Sequence, residues 1–137
     1  MTNNKKHTVL CIHSLYMEAR LIPNEETPLA FYDNLYGYAN GYVGVHKEHP
    51  LYGVLYQDYN DKGIHLSVHG GVTFTGHIKS PTNDENNPNW LDEDYWWIGF
   101  DTRHSGDTRE EQDFEYCLQE LTSLACQVAT FIKKQTL

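Results

Sequence analysis

Positive charge is scarce in this chain, where ten Lys and Arg stand against nineteen Asp and Glu for a formal charge of −9. Such a surface repels phosphate backbones, which disfavours a non-specific DNA or RNA binder while leaving room for a small anionic ligand in a local pocket. Cysteine is also rare. Cys11, Cys117 and Cys126 are odd in number and show no C-x-x-C spacing, which argues against a disulfide framework or a thiolate zinc site. There is no charged-then-apolar leader, and apolar runs such as Val9–Ile12 and Tyr95–Gly99 fall far short of the about 20 residues that span a bilayer. The expectation is a cytoplasmic protein, neither secreted nor membrane-inserted. No internal repeat, low-complexity tract or G-x-S-x-G nucleophile elbow is present.

What is present is aromatic. Ten Tyr, five Phe and three Trp in 137 residues can stabilise a small core, and their faces can also stack on a flat ligand. The length suits one domain with one shared core, because two halves would each bury too little apolar surface. The expected fold class is α+β: residues 1–137 as a single domain, with a small antiparallel or mixed sheet packed against a long C-terminal helix.

Helical spacing is clearest at the end, where Phe114, Cys117, Leu118, Leu121, Leu124, Ala125, Val128, Phe131 and Ile132 form an apolar stripe. The pattern predicts a helix over Thr108–Lys134, with Asp107 or Thr108 as N-cap and Glu110 or Glu111 as capping-box partner. Val9–Ile12, Tyr38–Val45 and Tyr95–Asp101 read as strands, with Trp96, Ile98 and Phe100 on one face and Trp97, Gly99 and Asp101 on the other. Ile64, Leu66 and Val68 alternate with polar residues and predict a further strand. After Gly70–Gly71 comes Val72–Thr75, giving either a tight hairpin or one bulged strand. One short helix is expected within Leu29–Tyr36, and Lys79–Asp94, rich in Pro, Asn, Asp and Glu, reads as a long exposed loop.

Two segments carry the best candidates for chemistry. In His69–Gly70–Gly71–Val72–Thr73 the glycines let main-chain N–H groups approach a bound oxygen, flanked by His69 and Thr73. Asp101–Thr102–Arg103–His104 follows a strand and precedes a helix, a place where rigid elements position binding groups. There Asp101 and His104 can form an acid/base pair or two metal ligands, and Arg103 can take a phosphate or carboxylate. Trp97 or a Tyr is available for stacking, and His49 and Tyr52, from the His46–Gly53 stretch, complete the expected ligand-binding set. Eight histidines keep metal in view, with His49, His69, Asp101 and His104 as the least poor set, but ligand spacing is missing. The reading therefore assigns no metal and no cofactor.

Three blocks, Gly41–Val45 leading to His49–Gly53, then Val68–His69–Gly70–Gly71–Val72–Thr73–Phe74, then Trp97–Ile98–Gly99–Phe100–Asp101 with His104 and Asp107, resemble a family of small tailed-phage and prophage proteins. The resemblance covers roughly Gly41 to Asp107 and the terminal helix; related proteins often have proline where His46 stands. It implies an accessory protein made in the cytoplasm of an infected bacterium, a class that frequently blunts host defence, in some cases by sequestering or cleaving nucleotide signals.

Glycines, aromatics and polar groups without a recognisable nucleophile favour a protein that binds and sequesters a small nucleotide-like ligand, in a pocket that a second copy in a homo-oligomer can complete. The alternative is a phosphodiesterase-like hydrolase with His69 and His104 as acid and base and Asp101 orienting one of them or binding metal. A third reading is an inhibitor that covers a host defence enzyme, using the acidic loop Asn83–Asp94 as a charge mimic.

Overall fold

The computed structural model describes residues 9–10, 17–24, 36–80, 82–87 and 90–136. Among them β1 (Val9–Leu10), β2 (Met17–Pro23), β3 (Ala39–Val45), β4 (Phe74–Gly76) and β5 (Trp96–Phe100) form one sheet in the order β1-β2-β3-β5-β4. Every pairing is antiparallel, and helix α1 (Phe114–Thr136) lies across β2 and β3. This is the expected α+β arrangement, antiparallel rather than mixed. No helix among the described residues is long and apolar enough to cross a membrane.

Register assigns the two faces of the sheet. Ala19 pairs with Val43 and Val43 with Ile98, so Met17, Ala19, Leu21, Val43, Val45, Ile98 and Phe100 share the face toward α1. There they meet Cys117, Leu121, Leu124, Ala125 and Val128, the apolar stripe of the helix. β2 was not anticipated, although the alternation of Met17, Ala19 and Leu21 with Glu18 and Arg20 carries its signature.

The opposite face is built from glycine and aromatic partners. A Cβ on Gly44 would stand 2.7 Å from the Trp97 ring, and one on Gly99 would stand 2.6 Å from the Tyr42 ring, so each ring lies flat on backbone. Trp97 is fully buried and donates from Nε1 to the Asp92 carbonyl at 3.0 Å. That corrects two expectations. Trp97 does lie opposite Ile98 and Phe100, but it is covered and cannot stack on a ligand. Cover comes from the described part of the expected loop, where Leu91 and Ser80 are buried, Ser80 Oγ accepts the Leu91 N–H and Asp92 meets the Trp97 ring nitrogen. Around Ser80 and Leu91–Asp92 the described residues pack on the second face rather than forming a fully exposed loop.

Three further expectations change for identifiable reasons. The helix begins at Phe114 and not at Thr108, because the Gln112 carbonyl accepts the Tyr38 N–H and Asp113 Oδ1 then caps the Tyr116 N–H at 2.9 Å. Thr108 and Gln112 close a separate turn through Glu111 N–H to Thr108 Oγ1 and Thr108 N–H to Gln112 Oε1. Ile64–Val68 joins no sheet strand; the Gln127 side chain binds both the N–H and the C=O of Ser67 at 2.7 Å, standing in for a neighbouring strand. Gly70–Gly71 is neither a hairpin turn nor a bulge but a turn between that segment and β4, with both residues at positive φ. Cys11 and Ile12, and most of the helix expected within Leu29–Tyr36, lie outside the described residues.

Candidate functional site

The end of β5 and the Gly70–Gly71 turn meet beside the start of α1, and the polar groups there form one connected set. Asp107 stands at its centre, only 6% exposed. Its Oδ1 lies 2.9 Å from His69 Nε2, and its Oδ2 accepts the His104 N–H at 2.9 Å and lies 3.0 Å from His104 Nδ1. A carboxylate only accepts, so His69 presents Nε2–H to it, while its Nδ1 lies 2.7 Å from the Tyr116 hydroxyl. The His69 main chain is held as well, its N–H donating to Glu120 Oε1 at 2.8 Å. With both ring nitrogens engaged and its side chain 15% exposed, His69 positions Asp107 rather than presenting a free acid or base.

His104 is different. Its side chain is 37% exposed, and Nε2 lies 3.4 Å from Asp101 Oδ1. Asp101 is fixed in turn, with Oδ2 accepting from Thr73 Oγ1 at 2.9 Å and Oδ1 from the Arg103 N–H at 3.1 Å. An unbroken line of polar contacts thus runs from Tyr116 through His69, Asp107 and His104 to Asp101 and Thr73. Burial by itself would push the Asp107 carboxyl up; the hydrogen bonds from the His104 N–H and ring, and then the His69 ring, outweigh it and hold the pKa below the usual value. Burial raises the Tyr116 phenol, helped by Glu120 and Asp107.

Beside this line opens a cleft of about 510 Å³ lined by Asn40, Tyr42, Thr73, Phe74, Asp101, Arg103 and His104 among others. Tyr42 forms its flat wall, edge-on to Phe74 with ring centroids 6.3 Å apart. Burial raises the Tyr42 phenol, against the Asn40 hydrogen bond, so the hydroxyl stays a neutral donor and acceptor. Arg103 is exposed, with its guanidinium 5.1 Å from the centre of the Tyr36 ring. Below it Thr102 is buried, donating to the Ala39 carbonyl and accepting from Asn24 Nδ2, which anchors the loop to the sheet.

The structure gathers His69, Gly70, Thr73, Asp101, Arg103 and His104 in one region. It does not gather the others. His49 is 4% exposed and structural: Nδ1 accepts the Leu51 N–H at 2.9 Å, so Nε2 carries the proton to the Val128 carbonyl at 3.1 Å. That disposes of His49 as a ligand contact and as a member of the metal set. Tyr52 sits in a separate hollow with His46, Lys47, His77, Glu93 and Asp94. The glycines also act otherwise than expected. Gly70 presses its backbone on His104, where a Cβ would come within 2.4 Å of the ring, and the Gly71 N–H is taken by the Val68 carbonyl at 2.8 Å.

Asp107, Tyr116, Asn40 and Tyr42 were missed as site residues. In the sequence Asp107 carries the signal of a helix cap, although it closes the block that starts with Asp101. Tyr42 was signalled by the gap at Gly99, which it fills from the next strand. Among the described residues, His69, His104 and Asp107 are the group whose ligand atoms lie close enough to hold a metal, all within 4.8 Å of one another. Compared with protein-family models, with curated proteins and with solved structures, the chain matches none of them.

Proposed function

We propose that the protein binds a small, anionic, nucleotide-like ligand in the Tyr42–His104 cleft. The observation that carries this reading is that aromatic, hydrogen-bonding and cationic side chains together line one cleft of ligand size, about 510 Å³. A planar ring stacks on Tyr42 or Phe74, Asn40 and Asp101 take an exocyclic amine or a hydroxyl, and Arg103 with His104 takes an anionic oxygen. Together with the resemblance to phage accessory proteins, this supports capture of a nucleotide signal of host defence.

The second reading, hydrolysis of such a ligand, rests on a narrower observation. Asp107 holds the Nδ1 side of His104, which directs Nε2 toward Asp101 at the cleft; His104 is then the one histidine of the pair placed for proton transfer. Calorimetry with mononucleotides and with linear and cyclic dinucleotides tests both readings. Saturable binding, weakened at least about tenfold by Tyr42→Ala and by Arg103→Ala and releasing intact ligand on denaturation, supports sequestration. Turnover that His104→Ala abolishes supports hydrolysis. A panel that yields neither binding nor turnover ends both.

A further inference from the structure

The Asp107 centre has a property that ligand capture does not require. A carboxylate 6% exposed is flanked by two imidazole nitrogens at 2.9 and 3.0 Å. Burial of a carboxylate is costly unless hydrogen bonds and an opposite charge balance it. A divalent cation supplies the charge and takes the same lone pairs.

We propose that His69, His104 and Asp107 form a binding site for one divalent transition-metal ion of the zinc class. The donor set decides the class: two imidazoles and a carboxylate suit Zn²⁺ or Co²⁺, whereas Mg²⁺ and Ca²⁺ select oxygen alone. Ligands on a tetrahedral zinc lie about 3.3 Å apart; the two imidazole nitrogens stand 2.9 and 3.0 Å from the two different oxygens of Asp107, and the three ligand atoms lie within 4.8 Å of one another, so an ion has to draw them together around one oxygen. Three protein ligands leave a position open.

The surroundings are those a metal site needs. His69 Nε2 faces the metal position while Nδ1 meets the Tyr116 hydroxyl at 2.7 Å, a partner that can accept as readily as it donates and so fixes ring and tautomer in the bound state. Glu120 holds the His69 main chain, and Asp101 lies against the far nitrogen of His104. The loop carrying two of the ligands is closed by mutual bonds, His104 N–H to Asp107 Oδ2 and Asp107 N–H to the His104 carbonyl, each 2.9 Å. The ligands are therefore held before any ion arrives, and the net charge of −9 favours its approach.

This inference stands apart from the ligand reading, and its test uses no nucleotide. Chelator-treated protein is titrated with Zn²⁺ by calorimetry, and with Co²⁺ by visible absorption. The expected result is one equivalent per chain and the strong visible bands of low-coordinate cobalt. Asp107→Asn and His104→Gln should each weaken binding at least about tenfold, and Tyr116→Phe by a smaller factor. His104 is partly exposed, so His104→Gln remains informative if Asp107→Asn fails to fold. His77→Gln, in the separate hollow, should leave binding unchanged. Absence of saturable binding overturns the proposal, as does binding that survives His104→Gln or is lost in His77→Gln.

Discussion

Replacing either glycine of the Gly70–Gly71 turn by alanine separates backbone strain from displacement of His104. Both residues have positive φ, +69° and +81°, so alanine at either costs about 1–2 kcal/mol of conformational strain and lowers Tm by about 3–7 °C. Beyond that the positions differ. At Gly71 a new Cβ meets nothing within 4 Å, while at Gly70 it would lie 2.4 Å from His104 Cε1 and 2.8 Å from Nε2. Ordinary contact is about 3.5 Å, so the ring must retreat by about 1.1 Å, enough to break its 3.0 Å contact with Asp107. Because His104 is partly exposed, it swings into solvent at little extra cost in stability. The two variants should therefore melt within a few degrees of each other, while only Gly70→Ala alters the histidine-ring ¹⁵N resonances of His104 and weakens Zn²⁺ binding at least about tenfold. Unchanged His104 resonances in Gly70→Ala, or equal changes in both variants, would refute the reasoning.

Three other outcomes follow from contacts described above. Burial lowers the pKa of His49 below its usual value, against the hydrogen bond to the Val128 carbonyl, so the unfolded chain binds the proton more readily. Stability is then full above about pH 6.5 and falls as pH drops from there toward the folded value; urea denaturation between pH 5 and 8 should show that slope, and His49→Gln should remove it. Thr102→Val keeps the shape but leaves the Ala39 carbonyl and one Asn24 amide bond without their hydroxyl, a loss of about 2–3 kcal/mol, whereas Thr102→Ser should lose about 1; denaturant midpoints decide. Gln127→Ala deletes both bonds to Ser67 where water can replace them, costing about 0.5–1 kcal/mol, and hydrogen exchange at the Ser67 amide should accelerate while that of the β3 amides does not.

Periodicity carried the fold where one apolar face dominates. The stripe from Cys117 to Val128 and the alternation in Trp96–Phe100 needed no tertiary context to be read. Ile64–Val68 shows the limit of the same signal: an alternating segment is satisfied equally by a strand or by a helix side chain such as Gln127, and only the packed structure distinguishes them. The site was legible as two blocks but not as a network. Asp107 lies where a helix cap is expected, and its real partners are a histidine 38 positions earlier and another three residues back. The mistaken Trp97 assignment has the same origin, since facing away from one core does not reveal that a second covering layer exists.

On the second face of the sheet, Gly44 with Trp97 and Gly99 with Tyr42 behave as single units spread over two strands. A side chain on either glycine has no space while its ring is present, and loss of either ring opens a hole that the bare backbone cannot fill. Neutral drift at these four positions is therefore constrained to paired steps. Homologues should exchange both members of a pair or neither, so that each of these two glycines and its ring are inherited together.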